Sequence, residues 1–470
     1  MNDLPAPVVA DAPVSVVANR LFRRAIEMAS EARTSGRVTP QTRVEPYWQF
    51  KDFRYGPDGP IPGNGSVVPK EVLDWSKAAQ EVLENLKKTP EYAELLAELE
   101  TTDKAMGIVP AVFLEANARE FLAGVLENLP ASTDSSQAAA DLLEIQLRGL
   151  PIPHGVNFRL GGLVVLGGPV TLRHRDLTIV LRATERADVE RSASGAFFAP
   201  GFLRAPDCVA EIRLSGRPFA DAQAQEQRLA TILRLHSGAP LAVIATEMFA
   251  GPGRRNMGMM WPSTTAAVWR KATISGADQP TLQRFWERLS EQLPPSFVSP
   301  GQPALDAVSV AYERFKESIE NGQVFEKCVT NAVMALEALY FKPSGEQAEL
   351  TYRLSMRASR YLAHLGKDPA RTRETIELAY DVRSEYVHGG RTSQKERKKI
   401  ERLYTSLKTF QTELLDLVRI SILAGVLHRV DKEEFVDLID DSLIDPGKGA
   451  RLEAITGEAR NLLGISAKVG

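Results

Sequence analysis

The amino-acid sequence predicts an α+β chain, mainly helical, in which a mixed α/β N-terminal and middle region is followed by a C-terminal all-α helical bundle. Three observations carry that class. Period-two alternation is confined to the middle, where Leu177, Ile179, Leu181 and Ala183 alternate with Thr178, Val180, Arg182 and Thr184. Cys208, Ala210, Ile212 and Leu214 do the same against Val209, Glu211 and Arg213. Helical spacing dominates before residue 150, and from Pro303 onward strand signals vanish while helix-terminus chemistry recurs. At 470 residues and 51.6 kDa, the chain should pack as more than one unit.

The elements follow in order. Residues 1–15 read as a loose arm and Ala18–Ala32 as a short helix. Residues 35–69 read as a long irregular connection, because Pro57, Pro60, Pro62, Gly63 and Gly65 crowd it. Helical patterns over Pro69–Lys88, Pro90–Leu99, Ala111–Leu126 and Ser136–Leu147 complete a mostly helical N-terminal region, 1–150. The mixed α/β region, 151–300, adds a helix at Ala222–Leu235 and a strand at Pro240–Thr246, and is a candidate sensor. Gly161-Gly162 and Gly167-Gly168, on either side of Leu163–Leu166, read as hairpin turns.

The bundle, 301–430, is the most legible part. Helices are predicted at Ala304–Glu320, Gln323–Phe341, Glu346–Leu365, Pro369–Val387 and Gln394–Leu427. Ser344 with Gln347, and Ser393 with Glu396, fit capping boxes. Asp368-Pro369 supplies a cap and a first-turn proline, and Gly389-Gly390 supplies a stop. Residues 431–470 read as a short acidic tail.

Composition excludes several classes. An apolar share of 44% and a charged share of 25% are globular values. Cys208 and Cys328 are too few for a disulfide framework or a cysteine-rich zinc site. No apolar run reaches membrane-spanning length, and the N-terminus lacks the basic start of a signal peptide, so the expected setting is cytoplasmic, with no membrane partner. The net charge of −3 argues against a protein that coats nucleic acid by bulk charge. It is a cancellation, however: Thr351–Arg402 holds thirteen Lys or Arg against seven Asp or Glu, while the stretch from Asp431 holds five against nine.

Within the fourth predicted helix of the bundle, Ile376, Tyr380, Arg383 and Val387 fall at steps of four, three and four. An arginine thus occupies a row that ordinarily faces a core, where a cation needs a partner or a site. His388 stands at the helix end, just before the glycines. Two such groups suit RNA cleavage by transesterification, which deprotonates a 2′-hydroxyl, protonates a leaving 5′-oxygen and builds charge on phosphorus. An imidazole titrates near neutral pH and serves as acid or base. A guanidinium stays charged and bridges two phosphate oxygens. Such a scheme needs no metal and no other cofactor.

The bland reading is that a histidine in a last helical turn is held by the helix dipole and caps carbonyls. Spacing does not separate the two, since Arg148–His154 and Arg357–His364 show comparable intervals. Pro151 and Pro153 interrupt the first, and the second lies inside a long helix. Only Arg383–His388 joins an inward arginine to a glycine-capped terminus.

The surroundings add a resemblance. Ala335-Leu336-Glu337-Ala338-Leu339, then Glu349-Leu350-Thr351-Tyr352-Arg353-Leu354-Ser355-Met356-Arg357, then Tyr380-Asp381-Val382-Arg383-Ser384-Glu385-Tyr386-Val387-His388-Gly389 resembles the Apea-like branch of the HEPN superfamily, over roughly Pro303–Val430. The resemblance implies a metal-independent endoribonuclease of the kind found in toxin and anti-phage defence systems, built as a helical bundle that dimerises. It implies a composite site at the dimer interface, with Arg383 stabilising the transition state and His388 as general acid or base. Active members often carry Asn, Asp or His directly after that arginine, and this chain carries Ser384.

Other residues support the same region. Glu337 sits among Val333, Leu336 and Tyr340 and needs a partner, for which Arg353, Arg357 and Arg383 are the candidates. Arg391, Lys395 and Lys398 open the fifth helix beside His388, as a solvated face or as contacts to a phosphate backbone. The alternatives are a catalytically inactive HEPN dimerisation or nucleotide-binding module, and an accessory subunit of a larger defence effector. In the nuclease reading the N-terminal region would bind a protein trigger or partner, and in the accessory-subunit reading it would dock on the larger effector. Elsewhere the signals are weak. Gly251–Asn256 is a basic, Gly-rich loop, His154, His174 and His236 show no metal-ligand spacing, and Trp261 and Trp269 read as packing.

Overall fold

A computed structural model describes residues 13–50, 53–56, 59–62, 65–102, 109–128, 133–147, 152–189, 206–216, 218–250, 255–260, 270–298, 306–342, 349–428 and 430–465. The chain is α+β and mainly helical. It divides into two compact units: 1–159 with 184–222 and 245–261, and 160–183 with 223–244 and 262–470. Both draw on the middle of the chain, so the linear segments 1–150, 151–300 and 301–430 are not the units of packing. Of the loose arm read over residues 1–15, residues 13–15 instead open the first helix, Pro13–Thr34; residues 1–12, the Ser344–Gln347 box, Trp261, Trp269 and most of the Gly251–Asn256 loop lie outside the described residues.

In the first unit, helices Pro13–Thr34, Ser76–Leu86, Pro90–Thr102, Pro110–Glu127 and Thr133–Leu147 share one core. Ala18, Leu21, Phe22, Ala25 and Ala29 form the buried stripe of the first helix at helical spacing. The stretch read as irregular is instead an antiparallel ribbon. Strands Gln41–Phe50 and Gly65–Asp74 pair along their length, and Phe53–Gly56 pairs with Gly59–Pro62 farther out. Prolines Pro46 and Pro69 face each other across a two-stranded ladder whose outer edges need no donors, so they do not break it. Deeper in this unit, Arg159 and Glu247 form a buried pair at 2.7 Å, and Arg159 also donates to the carbonyl of Asp188.

In the second unit, Val170–His174 and Leu177–Ala183 form a hairpin, the latter ending one residue before the alternation read through Thr184. Leu163–Leu166 pairs in parallel with Ala272–Ser275, not in a hairpin with its chain neighbour. Gly162, Gly167 and Gly168 do take positive φ, so the glycines turn the chain at both ends of that strand.

The bundle comprises Ala307–Glu320, Phe325–Tyr340, Leu350–Ala363, Pro369–Val387, Gln394–Tyr404 and Leu407–His428. Pro369–Val387 has its predicted ends, and Asp368 accepts from the Arg371 amide as the cap requires. The helix predicted over Gln394–Leu427 is two helices, broken at Thr405, whose φ is +67°. A tertiary contact explains the break: Arg371 stacks over the Tyr404 ring at 3.6 Å and donates to the Leu403 carbonyl, taking over the helix end.

The expected acidic tail is also structured. Lys432–Asp441 and Pro446–Leu462 are helices, capped by Asp431 and Asp445, which bury Phe435, Val436, Ile439, Leu452 and Ala459. Its carboxylates cap helices and pair with cations while the apolar row faces inward.

Candidate active site at the end of helix Pro369–Val387

Helix Pro369–Val387 leaves the core as it runs. Ile376 is fully buried, Tyr380 and Arg383 are half-buried, and Val387 is 55% exposed. Arg383 therefore sits at the rim of the bundle and not in its centre. Its Nη2 lies 3.6 Å from Glu337 Oε2 on helix Phe325–Tyr340, and its guanidinium lies 5.5 Å from the Tyr380 ring centre. Burial pushes the Glu337 carboxyl above the usual carboxylate range, and the Arg383 charge pulls it partly back.

Of the three arginines that sequence offered to Glu337, Arg383 is the one that reaches it. Arg357 is committed elsewhere. It is buried, holds Asp440 through Nε at 2.8 Å and Nη2 at 2.7 Å, and donates Nη1 to the Tyr340 carbonyl. It ties helix Leu350–Ala363 to Lys432–Asp441 and offers no free donor edge to a ligand, so its expected supporting role becomes a structural one. Arg353 lies half-buried on the same helix.

Arg383 keeps capacity to spare. The 3.6 Å approach to Glu337 exceeds a hydrogen bond, and Nε is buried without a partner. A half-buried, under-satisfied guanidinium retains its affinity for an oxyanion.

His388 caps the same helix and is exposed. Its place is set by backbone chemistry. Gly390 donates to the Glu385 carbonyl at 2.9 Å and Gly389 to the Tyr386 carbonyl at 3.0 Å, the paired bonds of a Schellman stop. Gly389 has φ of +84°, and a Cβ on Gly390 would lie 3.0 Å from the Glu385 oxygen. The Ser393 capping box is only half formed. Ser393 accepts from the Glu396 amide, but its own amide donates to the Glu385 side chain, which bridges the stop and the next helix. Ser384 is half-buried, and its carbonyl accepts from the His388 amide.

Five residues along a helix advance about 7.5 Å and turn about 140° relative to each other, so Arg383 faces Glu337 while His388 faces solvent. One bundle does not turn both toward a single point. Arg391, Lys395 and Lys398 are exposed just beyond His388, whereas Arg397 is held by Glu326 at 2.7 Å. The basic run thus divides into one structural arginine and an exposed cationic face. Tyr380, one turn before Arg383, also belongs to the site; sequence placed it only in the core row, although its i, i+3 spacing to Arg383 was the available signal.

Among the described residues no group of His, Cys, Asp and Glu is arranged to hold a metal ion, and no helix is long and apolar enough to cross a membrane. Compared with family models, with curated proteins and with solved structures, the chain matches none.

Proposed function

We propose that this chain is a metal-independent endoribonuclease of HEPN type, an effector in anti-phage defence or a toxin-like system, that acts as a homodimer through the C-terminal bundle. The observation that carries the reading is the state of Arg383. It is a half-buried guanidinium at the bundle rim with an unpartnered Nε, on the helix that ends in a glycine-locked, exposed His388.

In this reading Arg383 bridges the phosphate oxygens as charge builds on phosphorus, and Glu337 holds the guanidinium near its working position. His388 moves the proton, either from the 2′-hydroxyl or to the 5′-oxygen. The helical offset between the two favours a site composed from two chains, in which Arg383 of one copy and His388 of the other meet one phosphate. Arg391, Lys395 and Lys398 hold the flanking backbone by charge.

The test is cleavage of total RNA in EDTA by wild type, Arg383→Ala and His388→Ala. Wild type should cut, and each variant should lose activity by about a hundredfold or more. An inert wild type, or variants that cut as well, would remove the nuclease assignment. Mixing the two inactive variants gives a second check, because a composite site regains part of its activity in mixed dimers.

A further inference from the structure

A second cluster of arginines lies away from His388. Strand Val170–His174 turns into Leu177–Ala183 through Arg175-Asp176, since His174 is the ladder partner of Leu177. Arg173, His174 and Arg175 from this hairpin line one groove of about 690 Å³ with Arg284, Glu287, Arg288 and Glu291 of helix Gln279–Gln292 and with Glu458 of Pro446–Leu462.

The charges on this groove are not equally engaged. Arg288 is paired with Glu458 and lies 3.9 Å from Glu291, and Glu287 accepts from Gln283. Arg173, Arg175 and Arg284 are exposed and make no ion pair, and Asp176 at the turn is exposed as well. Arg228 is half-buried and also unpaired, and burial first and the charge of Arg175 second disfavour its charged form. Glu287, Glu291 and Glu458 line the same groove, yet none of them is in ion-pair reach of Arg173, Arg175 or Arg284, so these three guanidinium groups keep donors for an anion.

Two details indicate that the cluster is held in place. Gln283 clamps the strand edge: its Oε1 accepts from the Arg173 amide at 2.9 Å, and its Nε2 donates to the Arg173 carbonyl at 2.7 Å. That fixes Arg173 beside Arg284, the neighbour of Gln283 in the chain. Arg175 has φ of +51°, at a two-residue hairpin position where Gly or Asn ordinarily sits. A long cationic side chain in that conformation costs stability, and such strain recurs where a side chain serves a ligand.

We propose that Arg173, Arg175 and Arg284 form a second contact for the phosphodiester backbone of single-stranded RNA. Arginine forks match phosphate oxygens, and Leu462 is the one aliphatic side chain on the groove, itself buried, so the surface lacks the apolar anchors of a protein interface. The choice of RNA rests on the nuclease reading; the anion-binding groove itself does not.

The experiment separates the two. Fluorescence anisotropy of the full chain with a labelled 2′-O-methyl RNA of about 20 nucleotides measures binding without cleavage, because the attacking 2′-hydroxyl is blocked. The triple variant Arg173→Glu, Arg175→Glu, Arg284→Glu should weaken binding about tenfold or more and flatten the salt dependence by about two in slope. Arg175→Gly should weaken binding about two- to threefold while raising Tm by about 2–4 °C, since glycine relieves the strained turn. A purely structural Arg175 would not give that opposed pair of changes.

Unchanged RNA affinity in both variants overturns the proposal, as does a wild type that binds no RNA. A labelled polyglutamate peptide that binds in place of RNA, with the same dependence on these arginines, also overturns it and assigns the groove to an acidic protein. If the 2′-O-methyl RNA binds through these arginines while unmodified RNA stays intact, the groove stands and the nuclease reading falls.

Discussion

Arg357 and Asp440 form a two-pronged ion pair, Nε to Oδ1 at 2.8 Å and Nη2 to Oδ2 at 2.7 Å, with the arginine buried and the aspartate 39% exposed at its side chain. The asymmetry sets the prediction. Asp440→Ala strands a buried cation, whereas Arg357→Met replaces it with apolar bulk and leaves a carboxylate that water can reach. Asp440→Ala should cost about 2–4 kcal/mol and Arg357→Met clearly less. Urea midpoints at constant m-value measure both, and a milder Asp440→Ala would contradict the argument.

Glu337 offers a test at the proposed site. Its folded pKa lies above the ordinary value, mainly through burial, so ionisation at neutral pH costs stability in spite of Arg383. The sign follows: the contribution is favourable below the unfolded pKa and is lost as pH rises through the folded one. Glu337→Gln should therefore leave neutral-pH stability unchanged or slightly higher. RNA cleavage should fall because Arg383 loses its anchor. A variant that unfolds, or that cleaves as wild type does, would refute one half each.

Gly389→Ala tests the terminus. With φ of +84°, alanine there costs about 1 kcal/mol and shifts the cap that carries His388. Gly389→Asn should be milder, because asparagine tolerates the left-handed region. Thermal melts and cleavage rates should rank wild type, Asn and Ala in that order.

His236 and His428 are both held neutral by burial, with pKa values pushed down to about 4. The unfolded chain takes up protons on them near pH 6.5, and the folded chain does so only near 4. Stability should thus fall between those limits as the solution is acidified, by up to about 1.4 kcal/mol per pH unit for each histidine. His428 stacks on Phe435, so His428→Phe keeps the packing and removes its share of the slope. Denaturation midpoints from pH 7 to 4 would show a shallower acid limb.

Burial pushes the Cys328 thiol up to about 11, and Cys208 is buried as well. Neither should react with a disulfide reagent in the native state, and both should react after denaturation. A rapid native reaction would mean that one of these sites opens.

By itself the sequence determined the elements whose ends are local. Helix Pro369–Val387 was legible to the residue because Asp368, Pro369, Gly389 and Gly390 act on backbone groups within a turn of themselves. Strand Leu177–Ala183 was legible because alternation marks one buried face. Arg383 and His388 were visible for the same reason, one out of place in a row and the other beside a stop. What depended on distant residues was decided by the tertiary structure. Thr405 breaks a helix because Arg371 reaches Leu403 and Tyr404. The Pro- and Gly-rich stretch becomes a ribbon because pairing satisfies its backbone between residues 15 to 33 positions apart in the chain. The acidic end folds because its apolar row finds the bundle. Among three arginines, only packing could commit Arg357 to Asp440 and leave Arg383 beside Glu337, since charge and spacing describe what a side chain can bind, and burial decides what it meets.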